Sequence, residues 1–115
     1  MQKKSTIALQ VELDENKVPE KIFWEAAEGG VATPKEAKAF MLSIWDVNEQ
    51  AAMRIDLWTK KMMLDEMGDF VFQTMMTMAD TYQRATKHDQ IAEDMKTYAR
   101  TLKKKMQEEL NKNQS

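Results

Sequence analysis

Met53-Arg54-Ile55-Asp56-Leu57-Trp58 keeps one rhythm, and Leu64-Asp65-Glu66-Met67, a few residues on, begins another. In the first segment Met53, Ile55 and Leu57 alternate with Arg54, Asp56 and Trp58, the period of two that gives a strand two distinct faces. From about Met63 the apolar residues Leu64, Met67, Val71, Met75, Met78 and Tyr82 recur at steps of three and four. That spacing predicts an amphipathic helix ending near Ala85. A strand directly followed by a long helix, with no return to strand rhythm afterwards, points to an α+β chain.

The strand at 53–58 needs a neighbour, and Asp46-Val47-Asn48-Glu49-Gln50 is a loop of hairpin length. The stretch before it satisfies two periods. Ala37, Phe40, Met41, Ile44 and Trp45 fit a helix, whereas Phe40, Leu42 and Ile44 against Met41, Ser43 and Trp45 fit a strand. Thr33-Pro34-Lys35-Glu36 has the form of a capping box with proline at the first helical position. The expectation is a capped helical turn at 33–36 and then a strand over 38–45, chosen because it supplies the missing neighbour.

Further back, Ile7, Leu9, Val11 and Leu13 alternate with Ala8, Gln10, Glu12 and Asp14, a strand with one wet face. Asp14-Glu15-Asn16-Lys17 is a turn, and Val18–Ala26 is a second strand with Ile22, Trp24 and Ala26 on its core face. Pro19 sits near its start, where a missing donor is tolerable. Forward of the first helix, Thr86-Lys87-His88-Asp89 has capping-box spacing. The stripe Ile91, Met95, Tyr98, Leu102, Met106 and Leu110 then marks a second helix. The fold expected is α+β: a four-stranded antiparallel sheet from two hairpins, followed by two C-terminal helices packed on one face. One domain would span 1–115, with an ordered core over about 6–110 and a polar tail at 111–115.

Composition suits such a domain. With 115 residues, 43% hydrophobic and 31% charged, the chain can form one core without staples. A net charge of -2 gives no electrostatic footprint for nucleic acid. Arg100, Lys103, Lys104 and Lys105 gather near the C-terminus, but Glu108 and Glu109 follow at once, as at an ordinary solvated helix end. No stretch approaches the ~20 apolar residues that cross a bilayer. No apolar run follows the basic Lys3-Lys4, so the cytoplasm is the expected compartment.

Catalytic chemistry finds few carriers. There is no cysteine, and His88 is the one histidine, placed in a polar turn. Asp65, Glu66 and Asp69 lie in the first turns of a helix, where its dipole favours acids regardless of any metal. Gly29-Gly30 lacks the flanking pattern of a phosphate-binding loop. The expectation is a protein that is not an enzyme and takes no cofactor.

Recognition of other proteins has more to stand on. With Met53, Ile55 and Leu57 turned to the core, Arg54, Asp56 and Trp58 share the opposite face with Met41, Ser43 and Trp45. Trp and Arg dominate interaction hot spots, so Trp45, Arg54, Asp56 and Trp58 are the candidate protein-interaction face. The chain also holds 11 methionines, six of them over 62–78. Thioethers either fill an irregular core or line an adaptable binding surface, so a peptide-binding or export-chaperone-like module is the alternative. Phe70, Phe72 and Met76 lie beyond the main stripe of the first helix, which favours burial on two sides, either by a second helix or by another subunit, so a homodimer is one expected outcome.

Several segments together resemble a known family. These are Val11-Glu12-Leu13-Asp14-Glu15-Asn16, Val18-Pro19-Glu20-Lys21-Ile22 and Leu42-Ser43-Ile44-Trp45-Asp46. With them go Met53-Arg54-Ile55-Asp56-Leu57-Trp58-Thr59-Lys60, Asp65-Glu66-Met67 and Met78-Ala79-Asp80-Thr81-Tyr82-Gln83-Arg84-Ala85-Thr86. Over roughly residues 7–100 the chain is similar to the gliding motility-associated GldC family of Bacteroidetes. The resemblance implies a soluble accessory protein of the gliding machinery, associated with its lipoprotein and transporter components, without enzymatic activity or cofactor. It assigns no residue a role.

Overall fold

In the computed structural model, which describes residues 3–112, Ile7–Leu13 (β1) and Pro19–Ala26 (β2) form an antiparallel hairpin. Its turn is built by Asp14, whose carboxylate accepts from the backbone N–H of Asn16 at 2.8 Å and of Val18 at 3.0 Å. Such a local cage lets Lys17 take the left-handed conformation that closes the turn. The turn at 46–50 repeats the device: Asp46 accepts from the N–H groups of Asn48 and Glu49, and Gln50 is left-handed.

After β2 a single 3-10 turn, Ala27–Gly29, reverses the chain. Gly30 follows with φ 85°, a conformation that costs glycine little. Residues Val31–Ala37 are then a strand, β3, paired antiparallel with β2 through Phe23↔Glu36 and Trp24↔Lys35. This corrects the helical turn expected at 33–36. A capping box serves backbone N–H groups that a helix start leaves unpaired, and here the same segment is drawn into pairing with β2 instead. β3 is an outer strand, so the N–H that Pro34 lacks is tolerated there.

At Lys38 the extended chain bends and continues as β4, Ala39–Trp45, which pairs with β5, Ala52–Trp58. The strands therefore form two antiparallel sheets, β1-β2-β3 and β4-β5, and not the single four-stranded sheet expected from two hairpins. Thr59 fixes the bend. It is 2% exposed, and both its N–H (2.8 Å) and its hydroxyl (3.0 Å) donate to the Lys38 carbonyl. Lys60 to Asp14 and Lys61 to Glu36 add ion pairs from the segment after β5 to the first sheet.

The chain divides between Met62 and Met63 into two compact units, the second being a helical hairpin. Its helices are α1, Leu64–Thr86, and α2, Asp89–Lys112. Glu66 caps the start of α1 by accepting from the Met63 N–H at 3.0 Å. Lys87, left-handed, ends it by donating its N–H to the Gln83 carbonyl. Thr86 thus closes α1 instead of opening α2: its hydroxyl donates to the Tyr82 carbonyl and accepts from the His88 N–H. Of the tail expected at 111–115, Asn111 and Lys112 belong to α2, and 113–115 lie outside the described residues.

The hairpin seam is made of small residues. Ala79 on α1 and Ala92 and Ala99 on α2 are its buried positions, and the seven-residue step from 92 to 99 is the heptad spacing of two closely packed helices. Lys96 bridges to Asp80 at 2.6 Å, and Lys103 lies 4.6 Å from the centre of the Phe72 ring. Of the expected stripe, Met95, Leu102, Met106 and Leu110 are half-buried, while Ile91 and Tyr98 are exposed and the neighbouring Ala92 and Ala99 take the seam in their place. Among the described residues no helix is long and apolar enough to cross a membrane.

Candidate interaction surface

The β4–β5 ribbon carries the four residues singled out from sequence. Its register pairs Trp45 with Ala52, Ser43 with Arg54, Met41 with Asp56 and Ala39 with Trp58. Directly opposed residues share a face, so Trp45, Arg54, Asp56 and Trp58 lie on one side of the ribbon, as strict alternation requires. Trp45 is 69% and Trp58 58% exposed. Between them the Arg54 guanidinium grips Asp56 in two hydrogen bonds, Nε to Oδ2 at 3.1 Å and Nη2 to Oδ1 at 2.8 Å.

The face is extended and not a single patch. Trp45 stands opposite Ala52, six positions before Trp58, which puts the tryptophans about 20 Å apart along the strands. The structure joins Arg54 to Asp56 and leaves the two indoles at opposite ends. Trp58, with Val18, Pro19, Asp56 and Leu57, also lines a shallow cleft of about 280 Å³.

The opposite face holds what sequence reasoning missed. Ile44↔Met53, Leu42↔Ile55 and Phe40↔Leu57 form three apolar cross-strand pairs. Met53 and Ile55, expected in the core, are each more than half exposed, and so is Ile44. Alternation shows that this face is apolar, but it carries no signal of whether anything covers it.

Other features bear on chemistry. The Asp14 carboxyl is drawn down from its ordinary 3.8 to about 2, first by the hydrogen bond from Lys60 and then by the Val18 N–H. The same contact raises Lys60. His88 meets the Tyr82 hydroxyl through Nδ1 at 2.9 Å, and Asp89 accepts from Gln83, so both tie down the α1–α2 turn. Asp65 and Glu66 accept backbone N–H groups at the start of α1. Among the described residues no group of three or more His, Cys, Asp or Glu is placed to hold a metal ion. In the helical unit an apolar groove of about 300 Å³ runs between Leu64, Met67 and Val71 on α1 and Met106 and Leu110 on α2.

These features define a small α+β protein whose distinguishing surface is a tryptophan-bearing β ribbon. The family model of gliding motility-associated GldC-like proteins matches residues 19–108, most of the chain. The chain belongs to the GldC-like family. The match begins at the first residue of β2 and leaves β1 outside it. No curated protein and no solved structure matches the chain.

Proposed function

We propose that this chain is a non-catalytic accessory protein of gliding motility that works in the cytoplasm by binding another component of the motility machinery across the β4–β5 ribbon. Membership of the family gives the process. The observation that carries the mechanism is a ribbon with large apolar side chains more than half exposed on both faces, Trp45 and Trp58 on one, Ile44, Met53 and Ile55 on the other. Scattered exposed apolar residues are ordinary, but Ile44, Met53 and Ile55 lie in adjacent pairs on one face, and a contiguous set marks an interaction surface. The Arg54–Asp56 pair holds the middle of the tryptophan face in one geometry and offers a partner a charged centre between two aromatic anchors.

Co-purification from gliding cells tests this, comparing the tagged wild type with Trp58→Ala and Arg54→Ala. Recovery of motility components by the wild type, reduced about tenfold or more in the variants while their circular dichroism is unchanged, is the expected result. Equal recovery by all three removes the ribbon from the mechanism.

A second reading has its own observation. The groove between Leu64, Met67, Val71, Met106 and Leu110 is apolar and lined partly by thioethers, which suits an adaptable site for unfolded peptide. Suppression of the aggregation of unrelated denatured proteins, undiminished in Trp58→Ala, would favour that chaperone-like role.

A further inference from the structure

The two outer strands of the three-stranded sheet are built differently. β3 carries Pro34 and Lys35, and its pairing with β2 shifts register between Trp24 and Ala26. Proline, lysine and irregular pairing are the usual means of keeping an edge from recruiting another strand. β1 has none of them along its length: Ile-Ala-Leu-Gln-Val-Glu-Leu is regular, and its one register shift comes at the last pair. Among the described residues no strand pairs with its outer edge. Ile7 is 76% and Leu13 52% exposed, with Leu9 exposed between them.

β1 is also complementary to itself. Turned antiparallel about Gln10, a second β1 sets Ile7 opposite Leu13 and Leu9 opposite Val11, apolar against apolar on one face. On the other face Ala8 falls opposite Glu12, and Gln10 meets its own copy. The two Glu12 carboxylates are thereby kept apart, which matters because like charges directly opposed destabilise a pair. At the ends, reversal brings Lys3 and Lys4 near the other copy's Glu15. Asp14 is already held by Lys60 and Lys17 shares the turn, so the pairing rests on the apolar face and on the separation of the Glu12 carboxylates.

From this edge and its charge pattern we infer that β1 is a homodimer interface: two copies pair β1 to β1, antiparallel and centred on Gln10, into one six-stranded sheet. The pairing uses neither face of the β4–β5 ribbon, so it stands or falls apart from the reading above. A contact one strand long is small beside the ~1,200–2,000 Å² of a standard interface, so the dimer is expected in the micromolar range.

The absence of native cysteine makes the register directly readable. In the proposed pairing the two Gln10 Cα atoms lie about 4.5–5.5 Å apart, inside the roughly 4.4–6.8 Å that a disulfide spans. Two Ala8 positions are displaced by roughly 13 Å along the strands. The full-length chain should sediment as a dimer in reversible equilibrium over about 1–100 μM. Under mild oxidation Gln10→Cys should give at least about ten times the crosslinked dimer of Ala8→Cys or Glu12→Cys alone. An equimolar mixture of Ala8→Cys and Glu12→Cys chains should crosslink as Gln10→Cys does, and it decides the matter if Gln10→Cys folds poorly. A wild type that stays monomeric throughout, or crosslinking that does not follow this order, overturns the assignment. A dimer insensitive to cysteine position would mean that another surface joins the copies.

Discussion

The helical hairpin and the strand unit solve the burial problem in opposite ways. In the hairpin Ala79, Ala92 and Ala99 disappear into the seam between two long helices, so small side chains do the closing. In the strand unit the buried positions are Ile22, Val31 and Thr59, and the β4–β5 ribbon stays half exposed on both faces. A two-stranded ribbon is marginal on its own. This one is tied to the first sheet through Thr59 and Lys38 and by ion pairs from Lys60 and Lys61. The difference teaches where to look for function: the hairpin closes at an alanine seam while Leu64, Met78 and Tyr98 stay exposed outside it, and the ribbon leaves large apolar side chains open on both of its faces.

Three substitutions can break or sharpen that contrast. Ile22 is fully buried on the central strand β2, so Ile22→Ala should cost about 2–5 kcal/mol in urea unfolding. A cost below about 1 kcal/mol would show that the strand unit has no tight interior and would erase half of the comparison. Ala99→Leu comes next. It forces three more carbons into a seam with no exposed surface at that position, and a loss of about 1–3 kcal/mol is expected. A neutral or stabilised variant would show that the hairpin is loose where it looks closed.

The smallest effect belongs to Asp14→Asn. The folded state holds the Asp14 carboxyl at about 2 against an ordinary 3.8. A lowered carboxyl pKa stabilises the fold fully above the ordinary value, and that contribution fades as pH falls towards the folded one. Wild type should therefore melt slightly above Asp14→Asn at neutral pH, and the gap should close between about pH 4 and pH 2. Because the pair is solvent-exposed, added salt should shrink the gap as well. A difference independent of both pH and salt would assign the effect to the turn geometry instead of the charge.

Much of this was legible in the sequence, and the failures have definite causes. Period two located β1, β2 and β5, and the change at Met63 located α1, because each element keeps one rhythm from end to end. β3 was missed because Thr33-Pro34-Lys35-Glu36 is chemically a helix start; pairing with β2, remote in the sequence-level argument, overrides it. In α2 the stripe holds at Met95, Leu102, Met106 and Leu110 and fails at Ile91 and Tyr98, since a stripe drawn through large residues overlooks alanines, and alanines mark closest approach. For the candidate surface, alternation correctly put Trp45, Arg54, Asp56 and Trp58 on one face. It could not report that the Ile44, Met53 and Ile55 face would also stand open, because alternation describes polarity and not covering.

Among the described residues the extensive pairings join elements close in sequence: β1 with β2, β2 with β3, β4 with β5, α1 with α2. The tie that closes the bend, Thr59 to Lys38, spans only 21 residues, and the reach from Lys60 to Asp14 spans 46. Loop closure therefore costs little entropy at each step, and chains with such local wiring fold fast. As the polypeptide is synthesised, each hairpin can close as soon as its second arm appears, with no arm left waiting for a distant one. The exposed edge of β1 is thus part of a finished hairpin early, before either helix has been made.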